Sequence, residues 1–209
     1  MMRLDVAAAV SRSGAFMPIK NASAYLLAHG EPPRADGAAQ AALDFAHLGF
    51  KDIQVAPHVD DPRANLDALA LLCVGTLVAN GLHEAQPSEK PTGVSFVGAA
   101  IRGTTLCLAR TGHAHAHRLG RRSLTELVAP TPAPSAALRL TPGRARQVFT
   151  TPWEQGDVLL LSCGSLVNAV EPKVIARAVL ETANLTDAAH QIVALATDTA
   201  SLALVRWAR

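Results

Sequence analysis

The chain has 209 residues, 49% of them hydrophobic and 17% charged, with a formal net charge of +2. That length suits one domain, residues 1–209, with a sizeable core, and that composition excludes a disordered chain. The charge balance favours no strongly acidic or basic partner, and no apolar run reaches the roughly 18 residues a membrane-spanning helix needs.

Aromatic residues make up only 4%, so Ala, Leu and Val must build the core. Met1–Val6 lacks the long apolar segment of a secretory leader and reads as a mature start. Cys73, Cys107 and Cys163 are widely spaced and odd in number, which predicts reduced thiols and a cytoplasmic location.

In chain order, Leu4–Val10 and Ala24–Ala28 are short apolar runs that read as extended, with Gly14, Pro18 and Asn21 between them as turn signals. Asp36–Phe45 is Ala-rich and predicts a helix. Asn65–Leu82 predicts another, because Leu66, Leu69, Ala70, Cys73, Leu77 and Val78 recur at three- and four-residue steps. Gly93–Ile101 and Thr104–Gly112 flank Arg102-Gly103 as a hairpin, and Ala114–Leu119 continues as a third strand. Ala129–Ala136 is a Pro-rich connector. Val158–Leu161 is a strand of the fully buried kind. Pro172–Glu181 predicts a helix with Pro in its first turn, and Thr186–Ala196 one with Thr186 as N-cap. Leu202–Trp207 closes as a strand. Strands that pair as hairpins, with helices in blocks, predict an α+β fold with a largely antiparallel sheet.

The segment Gly156-Asp157-Val158-Leu159-Leu160-Leu161-Ser162-Cys163-Gly164-Ser165-Leu166 resembles the "GD-x-LLL-x-SDGL" segment of the PP2C-type, metal-dependent serine/threonine protein phosphatases. The resemblance extends in order along the chain. Ala79-Asn80-Gly81-Leu82 resembles a helix ending "AN-x-x-L", Cys107–Leu119 resembles "l-x-vaNvGDSraYl", Leu124-Thr125 resembles the "LT" that follows, and Asp198–Leu202 resembles "DN-x-T-vv". It implies a four-layer α-β-β-α sandwich of two antiparallel sheets flanked by helices, shortened near Gly30–Ala35 and Ala129–Thr151.

That family's chemistry needs two hard divalent cations, Mg²⁺ or Mn²⁺, held by carboxylate oxygens. Carried over by the resemblance, the "NED" motif falls on Asn21-Ala22-Ser23, so Ser23 replaces a carboxylate. The "ADG" motif is spelled by Ala35-Asp36-Gly37, although Glu31-Pro32-Pro33-Arg34 stands where an apolar strand is expected. "SDG" is Ser162-Cys163-Gly164, so Cys163 replaces a metal ligand. "DN" keeps Asp198, followed by Thr199. The phosphate-gripping Arg is Pro18, and "GDS" has become Gly112-His113-Ala114. Asp36 and Asp198 are then the remnant metal residues. Two carboxylates cannot hold a dinuclear centre, so no catalytic residues and no cofactor are expected. The alternative is an active phosphatase with Mg²⁺ or Mn²⁺ in a site rebuilt from Asp36, Asp198 and a histidine pair.

Other features carry simpler readings beside sharper ones. Cys163 reads as a small buried hydrophobe, or else as a soft-metal ligand or nucleophile. His113, His115 and His117 alternate, so a strand would point all three to one face; that is a solvated polar face, or a site where two share Zn²⁺. Arg110, Arg118, Arg121, Arg122, Arg139, Arg144 and Arg146 are opposed only by Glu126, which reads as a solvated basic face, or as an anion or nucleic-acid surface. Asp157 reads as a turn residue. The leading expectation is an inactive PP2C-like domain that binds a protein partner, a phosphoprotein or kinase, and neither membrane nor nucleic acid. The remaining alternative is a basic nucleic-acid-binding module.

Overall fold

The computed structural model describes residues 3–19, 23–31, 37–44, 93–120, 123–127, 147–196 and 200–208. Among the described residues ten strands fall in chain order: β1 Leu4–Ala9, β2 Gly14–Ile19, β3 Ala24–Glu31, β4 Gly93–Arg102, β5 Thr105–Thr111, β6 Ala114–Leu119, β7 Leu124–Glu126, β8 Gln147–Pro152, β9 Val158–Cys163 and β10 Ser201–Trp207. Residues 38–44 are helical (α1). The later helices are the one-turn α2 Leu166–Ala169, then α3 Pro172–Glu181 and α4 Leu185–Ala194.

The strands form two five-stranded sheets, ordered β1-β10-β9-β6-β7 (sheet A) and β2-β3-β4-β5-β8 (sheet B), with every pairing antiparallel. Side chains alternate across each strand, and three apolar clusters follow. Leu27, Val97, Leu108, Ala116, Leu159, Leu161 and Ala203 fill the space between the sheets. Ala38, Ala39, Ala42 and Leu43 of α1 pack on the outer face of sheet B against Leu26, Ala28 and Phe96. Ile175 and Val179 of α3, with Ala188, Ala189 and Ile192 of α4, cover the outer face of sheet A against Leu160, Leu202 and Leu204. The result is the expected α-β-β-α sandwich.

β9 is buried on both faces along its whole length, which is why its sequence is a continuous apolar run rather than an alternating one. The hairpin of β4 and β5 turns at Gly103, whose φ of 56° suits glycine. α3 begins with Pro at its N-terminus, as expected.

Several expectations need correction. Pro18 lies within β2 and does not mark a turn, whereas Gly14 opens β2 and closes the turn before it, its N–H donating to Ser11 C=O. Gly14 is glycine because a Cβ there would run into the Ser201 side chain of β10. Pro18 is tolerated because β2 is the edge of sheet B, where a missing N–H need break no ladder. The N-cap of α4 is Asn184 and not Thr186: its side chain accepts the Asp187 N–H at 2.8 Å. The short strands β7 and β8 were not anticipated. The Asn65–Leu82 helix, the Ala129–Ala136 connector and the expected deletions all fall largely or wholly outside the described residues.

Cys107 belongs to the cluster under α1, whereas Cys163 lies between the sheets. Side chains on opposite faces of sheet B cannot be bridged by a disulfide, and neither cysteine is in one. The chain should therefore titrate as three thiols when unfolded without reductant. A single thiol would reveal a disulfide involving Cys73.

Candidate functional site

The end of β9 gathers the polar groups of the intersheet space. Cys163 sits between Ala114 of β6 and Ser201 of β10 in the register of sheet A. Its side chain follows Leu159 and Leu161 toward sheet B, where the sulfur lies 3.9 Å from the carbonyl oxygens of both Leu27 and Ser95. Gly164 then turns the chain with φ 77°.

Around this thiol stand His29 at the end of β3, Ser95 on β4 and Ser201 at the start of β10, all buried. His29 and Ser95 are register partners. His29 Nδ1 lies 3.4 Å from Ser201 Oγ, linking the two sheets. Ser201 Oγ also accepts the Ser11 N–H at 3.3 Å and lies 3.3 Å from Ser11 Oγ. Ser95 Oγ accepts the His113 N–H at 2.8 Å, tying the loop before β6 to β4. The turn between β1 and β2 is fixed by Gly14 N–H donating to Ser11 C=O at 3.0 Å and Gly30 N–H to Ser13 C=O at 2.8 Å. The site is thus a packed set of imidazole, thiol and hydroxyl groups that bond to one another and to main chain.

Ser23 and Pro18 are not part of it. Ser23 closes the turn between β2 and β3, with φ 46° and its C=O accepting the Ile101 N–H at 3.0 Å. Cys163 instead faces Leu27 and Ser95, near the other end of β3. Four residues of strand separate Ser23 from Leu27, roughly 13 Å. Pro18 pairs with Tyr25, also toward the Ser23 end, and is exposed. The expectation that Ser23 and Cys163 face each other across one centre is therefore corrected: the N-terminal hairpin reaches Cys163 through Ser11–Gly14, not through Asn21–Ser23. Asp36, Asp198 and Thr199 lie outside the described residues.

His29 is the site residue that sequence reasoning missed. A signal was present. The apolar run Ala24–Ala28 leads straight into Ala28-His29-Gly30, the strand-then-turn context sought for "ADG" and lacking before Ala35-Asp36-Gly37.

The histidines and arginines also need correction. His113 lies outside β6, so the three histidines do not share one strand. His115 and His117 do share a face, but it is the helix-covered face of sheet A and not a solvated one: His117 is buried and His115 is 22% exposed. Their ring centroids are 6.2 Å apart. Glu126 of β7 pairs with His117 in register, and its Oε1 lies 3.4 Å from His115 Nδ1. Arg110 is buried too, donating to Ala114 C=O at 3.1 Å with Nη1 3.8 Å from Glu126. Arg118 donates to Pro152 C=O at 3.2 Å. Neither arginine stands on an unengaged basic face. Asp157 is the expected turn residue: its side chain accepts the Glu154 N–H at 3.1 Å.

Two facing antiparallel sheets with helices outside, and a polar end where β3, β9 and β10 meet, are the features of the PP2C-type serine/threonine phosphatase fold. Solved structures agree. The catalytic domain of the serine/threonine phosphatase PstP, in complex with 2 manganese ions, matches with a TM-score of 0.78 over 99% of each chain, at 19% identity. PppA, a key regulatory component of T6SS in Pseudomonas aeruginosa, matches at 0.73 and 17% identity over 98% of this chain and 97% of its own. The PPM phosphatase MsPP from Mycobacterium smegmatis, in complex with cacodylate, matches at 0.71 and 18% identity over 97% of each. No protein-family model matches the sequence, and no curated relative does. At these identities the likeness establishes the fold alone: this chain has the PP2C-type phosphatase architecture.

Two predictions follow from the site's electrostatics. Cys163→Asp would set a carboxylate between the Leu27 and Ser95 carbonyl oxygens, which repel it. The variant should lose about 3 kcal/mol or more in urea unfolding, or keep the group protonated. Separately, burial holds the His115 and His117 imidazoles below the usual histidine pKa, with Glu126 only partly offsetting it. Groups depressed in the folded state bind protons better when unfolded, so their contribution to stability is present above about pH 6.5 and lost as pH falls below it. Melts in chelator from pH 7.5 to 5 should show that loss, and His117→Gln should flatten the profile.

Proposed function

We propose that this chain is a PP2C-fold protein that does not carry out the metal-dependent phosphatase reaction and works instead by binding a protein partner. The observation that supports this is the donor set where β9 ends. Cys163, His29, Ser95 and Ser201 offer a thiol, an imidazole and two hydroxyls. Mg²⁺ and Mn²⁺ take hard oxygen ligands, carboxylates above all, in near-octahedral shells. The described residues do not fit a pair of such ions. Cys163 is directed at two carbonyl oxygens that would compete with any cation for its orientation.

A rebuilt centre that recruits the histidine pair is disfavoured by geometry. His115 and His117 lie on the helix-covered face of sheet A, while Cys163, His29 and Ser201 face sheet B. Side chains on opposite faces of one sheet cannot share an ion pair of the two-metal type, whose ions stand about 4 Å apart. The partner class in this reading is a protein, a phosphoprotein or a kinase. Nucleic acid is disfavoured because Arg110 and Arg118 are engaged within the protein. No helix among the described residues is long and apolar enough to cross a membrane.

The test is p-nitrophenyl phosphate hydrolysis with millimolar Mn²⁺. The expected result is no turnover above a buffer blank, and no saturable heat on titrating Mn²⁺ in a calorimeter. Mn²⁺-dependent turnover that disappears in Asp198→Ala would overturn the proposal.

A further inference from the structure

Three of the four sheet edges among the described residues are guarded against the addition of a further strand. β2 carries Pro18, β8 ends on Pro152, and β7 is only three residues long. Proline and shortness are common devices that keep an edge from pairing with another chain. The fourth edge, β1, has neither: it runs Leu-Asp-Val-Ala-Ala-Ala over six residues. Its charged residue, Asp5, is matched by Arg3, with Nε 3.4 Å from Oδ1. Large hydrophobic side chains stand exposed at five described positions, and two of these, Val6 and Val10, lie on this strand and just beyond it.

The hydrogen bonding of β1 shows what its edge presents. Ala208 N–H donates to Arg3 C=O at 3.0 Å. In antiparallel pairing, successive residues turn their main-chain groups alternately toward one neighbour and the other. Arg3, Asp5, Ala7 and Ala9 therefore face β10. The N–H and C=O groups of Leu4, Val6 and Ala8 point away from it, to the side where no described strand lies. That outward row is symmetric about Val6.

We propose that β1 is a self-association edge, on which a second copy of this chain adds its own β1, antiparallel, about a two-fold axis at Val6. Val6 then lies opposite its counterpart, and Leu4 opposite Ala8 of the other copy. Each such pair exchanges both N–H···O=C bonds, so the whole outward row is satisfied. The side chains agree with this register. Leu4 and Ala8 pack on the intersheet cluster, and Val6 between them turns to the same face, so the two valines cover each other. Asp5 falls opposite Ala7 and brings its own Arg3, so no uncompensated like charges meet. The occupant is a second copy because the row's symmetry and its apolar side chains make the strand its own complement. Such a two-fold contact closes at two chains and builds no fibre. It uses no residue of the Cys163 cluster, so it stands or falls independently of the proposed function.

The experiment is sedimentation velocity of the full chain across a concentration series. Six-residue strands bury less than the roughly 1,200 Å² of a standard interface, so a monomer–dimer equilibrium is expected, with the dimer dominant only at high protein concentration. Val6→Pro, which gives β1 the guard β2 already has, should weaken dimerisation at least tenfold. Val6→Lys and Val6→Glu should each do the same, because like charges then meet across the axis. Mixed in equal amounts, these two should recover the dimer, since position 6 faces position 6. Leu180→Lys, on the exposed surface of α3, should leave the equilibrium unchanged. Circular dichroism confirms that each variant folds; if Val6→Pro does not, the Lys and Glu variants decide alone. A chain that stays monomeric at every concentration would overturn the proposal. So would a dimer unweakened by Val6→Lys, or a Lys–Glu mixture that associates no better than either variant by itself.

Discussion

The packing of β9 between two layers is the constraint on which the rest of the structure depends. All six of its residues are buried, with Leu159, Leu161 and Cys163 turned toward sheet B and Val158 and Leu160 toward the helices. A strand with no solvated face cannot slip register by one residue without trading its two apolar sets between different cores. That fixes β6 and β10 on either side of it, and through β10 it fixes β1. It also fixes where Cys163 points. The thiol's surroundings are a consequence of sheet packing before they are a matter of chemistry.

The legible parts of the fold were those with strong local signals. β4 and β5 form a hairpin about Gly103, β9 is an unbroken apolar run, and α3 opens on Pro172. β7 and β8 gave no such signal. They are the edges of their sheets, so each is paired on one side only and depends on its neighbour more than on its own pattern. Pro18 is a common turn former but here serves an edge strand. Gly14 ends the Ser11–Gly14 turn and also permits a close approach to Ser201, which only the three-dimensional pairing reveals. Asn184 displaced Thr186 as N-cap within the usual uncertainty of helix ends.

The site was legible where residue and context coincide, and illegible where they part. Cys163 was found because an apolar strand and a glycine frame it. Ser23 fits the motif by letter, but its turn falls at the other end of β3 from Cys163. His29 was missed for the converse reason: its context was right, with the apolar Ala24–Ala28 before it and Gly30 after it, but its chemistry was not the one sought. Position in the strand was the better guide, since sheet register determines which groups meet and side-chain type determines only what they do there.

The replacements are mutually consistent on electrostatic grounds. A cluster of carboxylates at the closed end of an intersheet core is tolerable only with cations among them, since each unpaired buried charge costs several kcal/mol or is protonated instead. What remains at this end among the described residues holds no carboxylate and satisfies itself: Ser201 Oγ takes the Ser11 N–H and faces His29, Ser95 Oγ takes the His113 N–H, and the Cys163 thiol faces two carbonyls. Gly14 is packed so closely on Ser201 that the turn between β1 and β2 closes over the cluster. A single carboxylate introduced at Cys163 would find carbonyl oxygens where it needs a cation. On the proposed reading, building a hard-metal centre at this end would require several concerted changes, starting at Cys163, His29 and the Ser11–Gly14 turn rather than at Ser23.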